Sequence, residues 1–428
     1  MKKVQHYLGQ ATAIHSLVLL RILFGGIGAY GFISSWLKGE ASGRFQQLTY
    51  RFSWSGYSLP SLGDAAIPYI YLFGLLGAIG ISLGAYYRVS VLLFACCFGY
   101  LHRLDASNFI NHYYLIELLA LFFFFAPAHR NSSWDAYRRP KIRLEQHPFF
   151  WLFWLRLQIV LVYFFAGWAK LSPDWWAGRP LRIWLLQAQD TPLIGQLLAL
   201  PETALLGGQL AACYDLTIFI WLSWSRTRPL AYLAVLIFHG LTGYLFNIGL
   251  FPPLMIGMTL AFFPPKSWEK LPLPYFKGGK TTYKSWFTPI LLLYFAWQFL
   301  LPLRHHFFGA KDIIWSQRYY RYGWRVMLVE HQGQVRFELA DQKGKRWEVS
   351  ASKYLKPYQI KRMSVQPEAI REFAVFLAQK EASADQELAV YVDAFVSLNA
   401  RPSQRIIDPK VNLAQAAPFG PWLLPLAN

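Results

Sequence analysis

Long apolar runs recur between Ile14 and Leu303, each broken by a short polar or basic stretch. A helix rises about 1.5 Å per residue, so about 20 apolar residues cross a bilayer core. The runs predict about nine spans: Ile14–Leu37, Ile67–Tyr87, Val89–Leu101, Tyr113–Ala126, Phe149–Trp168, Ala204–Ser223, Pro229–Phe246, Phe251–Phe263 and Trp286–Leu303. After Leu303 the pattern changes. VRFELADQKGKRWEVSASKYL alternates apolar and polar residues around a Gln-Lys-Gly-Lys turn, which predicts a β-hairpin. PEAIREFAVFLAQ, starting at Pro367, has helical spacing, and AVYVDAFVSLN alternates again. The expected fold class is mainly α. A polytopic transmembrane helix bundle, residues 1–303, carries a small C-terminal extracytoplasmic α+β domain, residues 304–428.

Composition supports the membrane reading. Hydrophobic residues make up 55% of the 428, and charged residues only 15%, against about 25% in soluble chains. The net charge of +19 would suit nucleic acid, but the basic residues sit mainly in short loops, as the positive-inside rule requires. No nucleic-acid partner is expected; the lipid bilayer is. Lysine and arginine crowd the loops Arg130–Arg143 and Lys266–Lys284, and Lys2 and Lys3 precede the first run. The alternate loops are sparser. This predicts a cytoplasmic N-terminus, with the first run kept as an uncleaved span. Lys170, Asn111, His112, Asn247 and the C-terminal domain then share the extracytoplasmic side. Cys96, Cys97 and Cys213 form no spaced framework, so neither a structural disulfide nor a metal site is expected. No G-x-G-x-x-G, P-loop, HExxH or GxSxG pattern is present, so no nucleotide cofactor is expected.

Candidate chemistry comes from polar groups inside or beside the runs, where they are costly and commonly face a cavity. QIVLVYFFAGWAKLSPDWW brings an apolar run to an end at Lys170. Two readings compete there. A lysine at a helix end snorkels to the interface, or a lysine in an apolar pocket is held neutral and acts as a base. Asn111 and His112 open NHYYLIELLALFFFF, either as a helix cap with an interfacial histidine or as a hydrogen-bonding pair over a cavity. His239 lies within an apolar run and Asn247 eight residues on, near one helical face, so both are candidates for one cavity. Asp215 and Arg156 are expected to pair in the bundle interior. The stretch WSQRYYRYGWRVM, Trp315–Met327, mixes rings with arginines. It suits either a site for a flat ring or carboxylate or packing between the domains.

Five ordered blocks together resemble the vitamin K-dependent γ-carboxylase family. They are DASNFINHYYL, QIVLVYFFAGWAKLSPDWWAG, FHGLTGYLFNIGLF, WSQRYYRYGWRVM and FVSLNARPSQRIIDPKVNLAQ. The resemblance implies an enzyme in which a lysine deprotonates reduced vitamin K, a naphthohydroquinone such as menaquinol. Reaction with O2 then yields a strong base that removes a glutamate γ-proton; CO2 adds, and the quinone leaves as its epoxide. On this resemblance Lys170 is the base, Asn111 and His112 assist at the quinone, and Trp324, Tyr320 and Met327 wall the quinone and glutamate site; His239 and Asn247, candidates for one cavity by their spacing, complete the expected cofactor-binding set. The implied partners are the quinone and a glutamate-containing peptide or protein. The chain departs from animal members, which carry a second lysine where Ala169 stands, disulfide-forming cysteines and a longer C-terminal region. A compact, bacterial-type member in the inner membrane is expected, without propeptide-guided processivity. An epoxidase that carboxylates no protein shares the same residues, and a transporter or receptor is the reading from another class.

Overall fold

The computed structural model describes residues 2–54, 56–309, 312–383 and 387–426. Each of the nine predicted runs is helical. They are α1 (His15–Leu37), α2 (Ala66–Leu83), α3 (Tyr87–Arg103), α4 (Asn111–Phe125), α5 (Phe150–Ala169), α6 (Pro201–Ser223), α7 (Arg228–Leu245), α8 (Phe251–Thr259) and α9 (Phe287–Phe307). Five of them, α1, α2, α5, α6 and α9, are long and apolar enough to cross a membrane; α4 and α8 are apolar but shorter. Five of the nine predicted spans thus meet the length and composition of a membrane crossing.

A small sheet gathers the starts of α1, α5 and α9. Its strands are β1 (Ala11–Ala13), β2 (Leu144–Pro148) and β3 (Gly279–Lys280), with β1 antiparallel and β3 parallel to β2. No alternation signals strands this short, and the sequence reading did not find them. The other end of the bundle carries the C-terminal layer. There β4 (His331–Ala340) and β5 (Arg346–Val349) form the predicted hairpin. With β6 (Ala389–Leu398) and β7 (Gln404–Arg405) they make a sheet of order β5-β4-β6-β7. Alternate residues of β6 are buried, and the helix α10 (Pro367–Glu381) packs Ile370, Phe373 and Leu377 into the same core.

The bundle and this layer are joined by buried polar groups as well as by apolar packing. Phe52 and Ala106, from loops at the bundle end, belong to the core of the C-terminal layer. Beside them Asp105 is fully buried. It accepts hydrogen bonds from the backbone N–H of Ser107 at 2.9 Å and of Phe52 at 3.3 Å, and from Gln359 at 2.7 Å. Burial nevertheless raises its carboxyl above the ordinary value, against those hydrogen bonds. On α10, Glu372 receives the Tyr50 hydroxyl at 2.9 Å and the Ser53 N–H at 2.6 Å.

Candidate active site

A cavity of about 2190 Å³ lies where the bundle meets the C-terminal layer. That exceeds the roughly 300–1,000 Å³ of an ordinary small-molecule site. Of the candidates, Asn111, His112, Asn247, Tyr320 and Met327 line it; Lys170, His239 and Trp324 do not.

Asn111 is the first residue inside α4, not its cap; Ile110 caps the helix with no side-chain hydrogen bond. The amide is thereby free for tertiary contacts. Its Nδ2 donates to the Arg325 carbonyl at 3.2 Å, which the Tyr320 hydroxyl also reaches at 3.3 Å. Asn111 Oδ1 is left buried without a hydrogen-bond partner among the described residues. The His112 ring stands edge-on to Tyr113, with centroids 5.1 Å apart, and 5.7 Å from Phe251. Burial pushes the Tyr320 hydroxyl up to about 12, so it stays a neutral donor.

Lys170 caps α5 at its C-terminus, where Ser172 and Pro173 start a short new helix, Pro173–Trp176. It is only 6% exposed, which excludes snorkelling. The expected apolar pocket is also corrected: Nζ lies 2.7 Å from Asp215 Oδ2 and 3.3 Å from the Ala166 carbonyl. Gly167 explains the meeting. A Cβ there would stand 2.8 Å from the Leu216 backbone nitrogen, so only glycine lets α6 approach α5 this closely. Asp215, one residue earlier on α6, thus falls against the amine one turn beyond. The expected Asp215–Arg156 pair does not form, because Arg156 Nε donates instead to the Ala261 carbonyl at 2.8 Å. The Trp175 ring lies 5.3 Å from Nζ and packs in one cluster with Leu328, which lines the cavity.

His239 is 1% exposed, and its Nε2 lies 2.9 Å from the Tyr163 hydroxyl. Because α7 stops at Leu245, Asn247 is off the helix and the two do not share a face, contrary to the sequence reading. Phe251 stands between His239 and the cavity-lining His112, 5.9 Å from the one ring and 5.7 Å from the other. Trp324 is fully buried in the bundle core and stacks on Tyr114 at 5.3 Å, so it braces the wall from behind. Gln317, Tyr319, Tyr322, Trp324 and Met327 all have positive φ, from 46° to 62°. Non-glycine residues rarely accept this, and such strain clusters at binding sites.

Sequence reasoning missed two parts of the site. One is Asp215 as the partner of Lys170. The other is Arg362, which joins the arginines already singled out in Trp315–Met327: on the cavity wall burial pulls Arg321, Arg325 and Arg362 below the ordinary arginine value, and none forms an ion pair among the described residues. Desolvated cations of this kind suit a carboxylate. Their clustering comes from the loop after α9 and from the segment before α10, which are distant in sequence.

These features define a polytopic integral membrane protein with a docked α+β layer and a large cavity between the two. A family model described as the HTTM domain matches residues 10–268, and one described as the lumenal domain of vitamin K-dependent gamma-carboxylase matches residues 283–428. The chain belongs to the vitamin K-dependent γ-carboxylase family. No solved structure matches it.

Proposed function

We propose that this protein is a γ-glutamyl carboxylase driven by oxidation of a reduced vitamin K, with O2 and CO2 as co-substrates. The observation that carries the reading is the Asn111–His112 pair on the cavity wall, with Asn111 Oδ1 unpaired. A hydroquinone hydroxyl fits that acceptor, and Tyr113 and Phe251 beside His112 fit a flat ring. When bound, the quinol supplies the oxidisable ring whose reaction with O2 drives carboxylation.

The chain's own groups divide the remaining work. Asn111 orients the ring, and its amide is fixed by the Arg325 carbonyl. His112 relays a proton at the ring. Lys170 Nζ accepts the first proton after passing its own to Asp215 Oδ2, 2.7 Å away. The transfer creates no new net charge in the dry interior, which favours it. The Trp175–Leu328 layer must part for the amine to reach the cavity. Arg321, Arg325 and Arg362 hold the acceptor's carboxylate. We place this cavity and residues 304–428 outside the cytoplasm, in a bacterial inner membrane.

The test is mass spectrometry of a glutamate-containing peptide incubated with the purified protein, menaquinol, O2 and bicarbonate-derived CO2. A mass gain of one CO2 on glutamate is expected. Epoxide formation with no such gain would leave an epoxidase. Lys170→Ala should abolish epoxide formation; near-normal epoxide from that variant, without added amine, would sink the base assignment.

A further inference from the structure

Beside His112 the cavity wall holds a second histidine that the proposed reaction does not use. His102, in the last turn of α3, lines the cavity yet is only 3% exposed. Its Nδ1 lies 2.9 Å from Glu117 Oε1 on α4. Arg103 donates to both oxygens of the same carboxylate, through Nη1 to Oε1 and through Nη2 to Oε2 at 2.6 Å. A carboxylate held in this way has no proton to give, so His102 Nδ1 carries the hydrogen of their contact. Arg103 already balances the charge of Glu117, so the ring needs no second proton on that account. Nε2 then keeps its lone pair, and it has no partner among the described residues.

Aromatic side chains close around this ring. Phe109 stacks on His102 with centroids 5.6 Å apart, and Trp54 and Tyr113 stand edge-on at 5.5 and 5.4 Å. All three line the cavity. Trp54 is no partner for Nε2, because its indole N–H donates to the Arg103 carbonyl at 2.9 Å. Asn111 lies between Phe109 and Tyr113 in the chain, and Tyr113 is edge-on to His112 as well. Two unpaired acceptors, Asn111 Oδ1 and His102 Nε2, therefore belong to one stretch of wall. The Asn111 amide cannot turn over to offer a donor instead, since its nitrogen serves the Arg325 carbonyl, which only accepts.

We infer that His102, with its tautomer set by Glu117, is a specificity-determining residue that selects the reduced, hydroxyl-bearing form of the ring over its oxidised, carbonyl-bearing forms. A hydroquinone brings O–H donors to these acceptors. A quinone, or its epoxide, brings only lone pairs and leaves buried acceptors unpaired, which sites built for a hydroxyl reject strongly. The arrangement that admits the reduced ring thus also favours departure of the oxidised product. The inference rests on the quinone-site reading and adds to it the redox state that the site accepts.

The experiment reads binding, not turnover. The full chain in lipid nanodiscs is titrated without oxygen at about pH 8, above the ordinary histidine value of about 6.5. The probes are a tail-less naphthohydroquinone and, separately, the matching naphthoquinone. The unaltered protein should hold the reduced form at least about tenfold more tightly. His102→Phe keeps a stacked ring but removes the lone pair, and should cut that ratio by about fivefold. In Glu117→Gln the new amide N–H donates to Nδ1, which moves the ring proton to Nε2 and turns the acceptor into a donor. This variant should gain affinity for the oxidised form, a response that a merely packed histidine would not give. Should His102→Phe fail to fold, the ratio in Glu117→Gln decides. Equal affinity of the unaltered protein for both forms would overturn the inference and give the decision to donors on the same wall, such as the unpaired Asn108 Nδ2. An unchanged ratio in either variant would also overturn it. If neither form binds the unaltered protein, the quinone-site reading falls, and this inference with it.

Discussion

Asp215 changes what can be asked of Lys170. The two groups lie 2.7 Å apart and each is nearly inaccessible to solvent. Removing one partner of such a pair leaves an uncompensated buried charge, at a cost of about 3–5 kcal/mol. Lys170→Ala alone therefore mixes a stability loss with a loss of chemistry. Asp215→Asn should lower the melting temperature and depress epoxide formation by roughly 100-fold, the order of a lost proton acceptor. The double variant Lys170→Met/Asp215→Asn should recover most of the stability and none of the activity. Thermal melts in detergent beside an epoxide assay check both, and normal epoxidation by Asp215→Asn would reduce that residue to packing. His112→Ala should slow turnover while quinone binding persists; unfolding of that variant would assign His112 to structure instead. Lys170 stands out in the sequence as a candidate because its motif is local. Asp215 was not: it lies 45 positions away, and the approach that joins them depends on the missing side chain of Gly167.

The elements around Lys170 are held by a clamp between bundle and C-terminal layer. Asp174, in the short helix after Lys170, takes Arg401 on both oxygens, at 2.5 and 2.6 Å, and Asn399 at 2.7 Å. Burial alone would raise the Asp174 carboxyl, but the hydrogen bonds from Arg401 and Asn399 and the nearby positive charges outweigh it and hold it below the ordinary 3.8. A depressed carboxyl contributes stability above its unfolded value and loses it as pH falls through the folded one. The clamp should thus be constant at neutral pH and release only in acid below the ordinary aspartate range. Asp174→Asn should abolish that acid release and expose residues 171–200 to protease at neutral pH; unchanged cleavage would show that the clamp does not hold this segment. Elements of this size were unevenly legible. Apolar runs announced the helices, and alternation announced β4, β5 and β6, because each pattern repeats over several residues. The short helices Pro173–Trp176, Arg179–Gln187 and Gly195–Ala199 carry too few repeats to stand out, although they shape the wall beside Lys170.

At the scale of the whole molecule, the antiparallel succession of helices delivers the C-terminal end of α7 and the N-terminal end of α4 to one cavity, with the C-terminal end of α5 behind its wall. Three of the five blocks, DASNFINHYYL, FHGLTGYLFNIGLF and WSQRYYRYGWRVM, supply residues to the cavity wall, and they meet there through this alternation and the layer that closes over it. The same alternation links the site to orientation. Basic residues crowd the loops at the far end, including Arg138, Arg139 and Lys141, and such loops stay cytoplasmic. The proposed orientation turns the cavity, β4 and β5 outward. With Cys96, Cys97 and Cys213 replaced by serine, a single cysteine at Lys345, beside the exposed turn between β4 and β5, should react with a membrane-impermeant maleimide in intact cells. A cysteine at Lys141 should react only after permeabilisation. The reverse pattern would put the C-terminal layer in the cytoplasm, and an acceptor for this site would then have to be sought there.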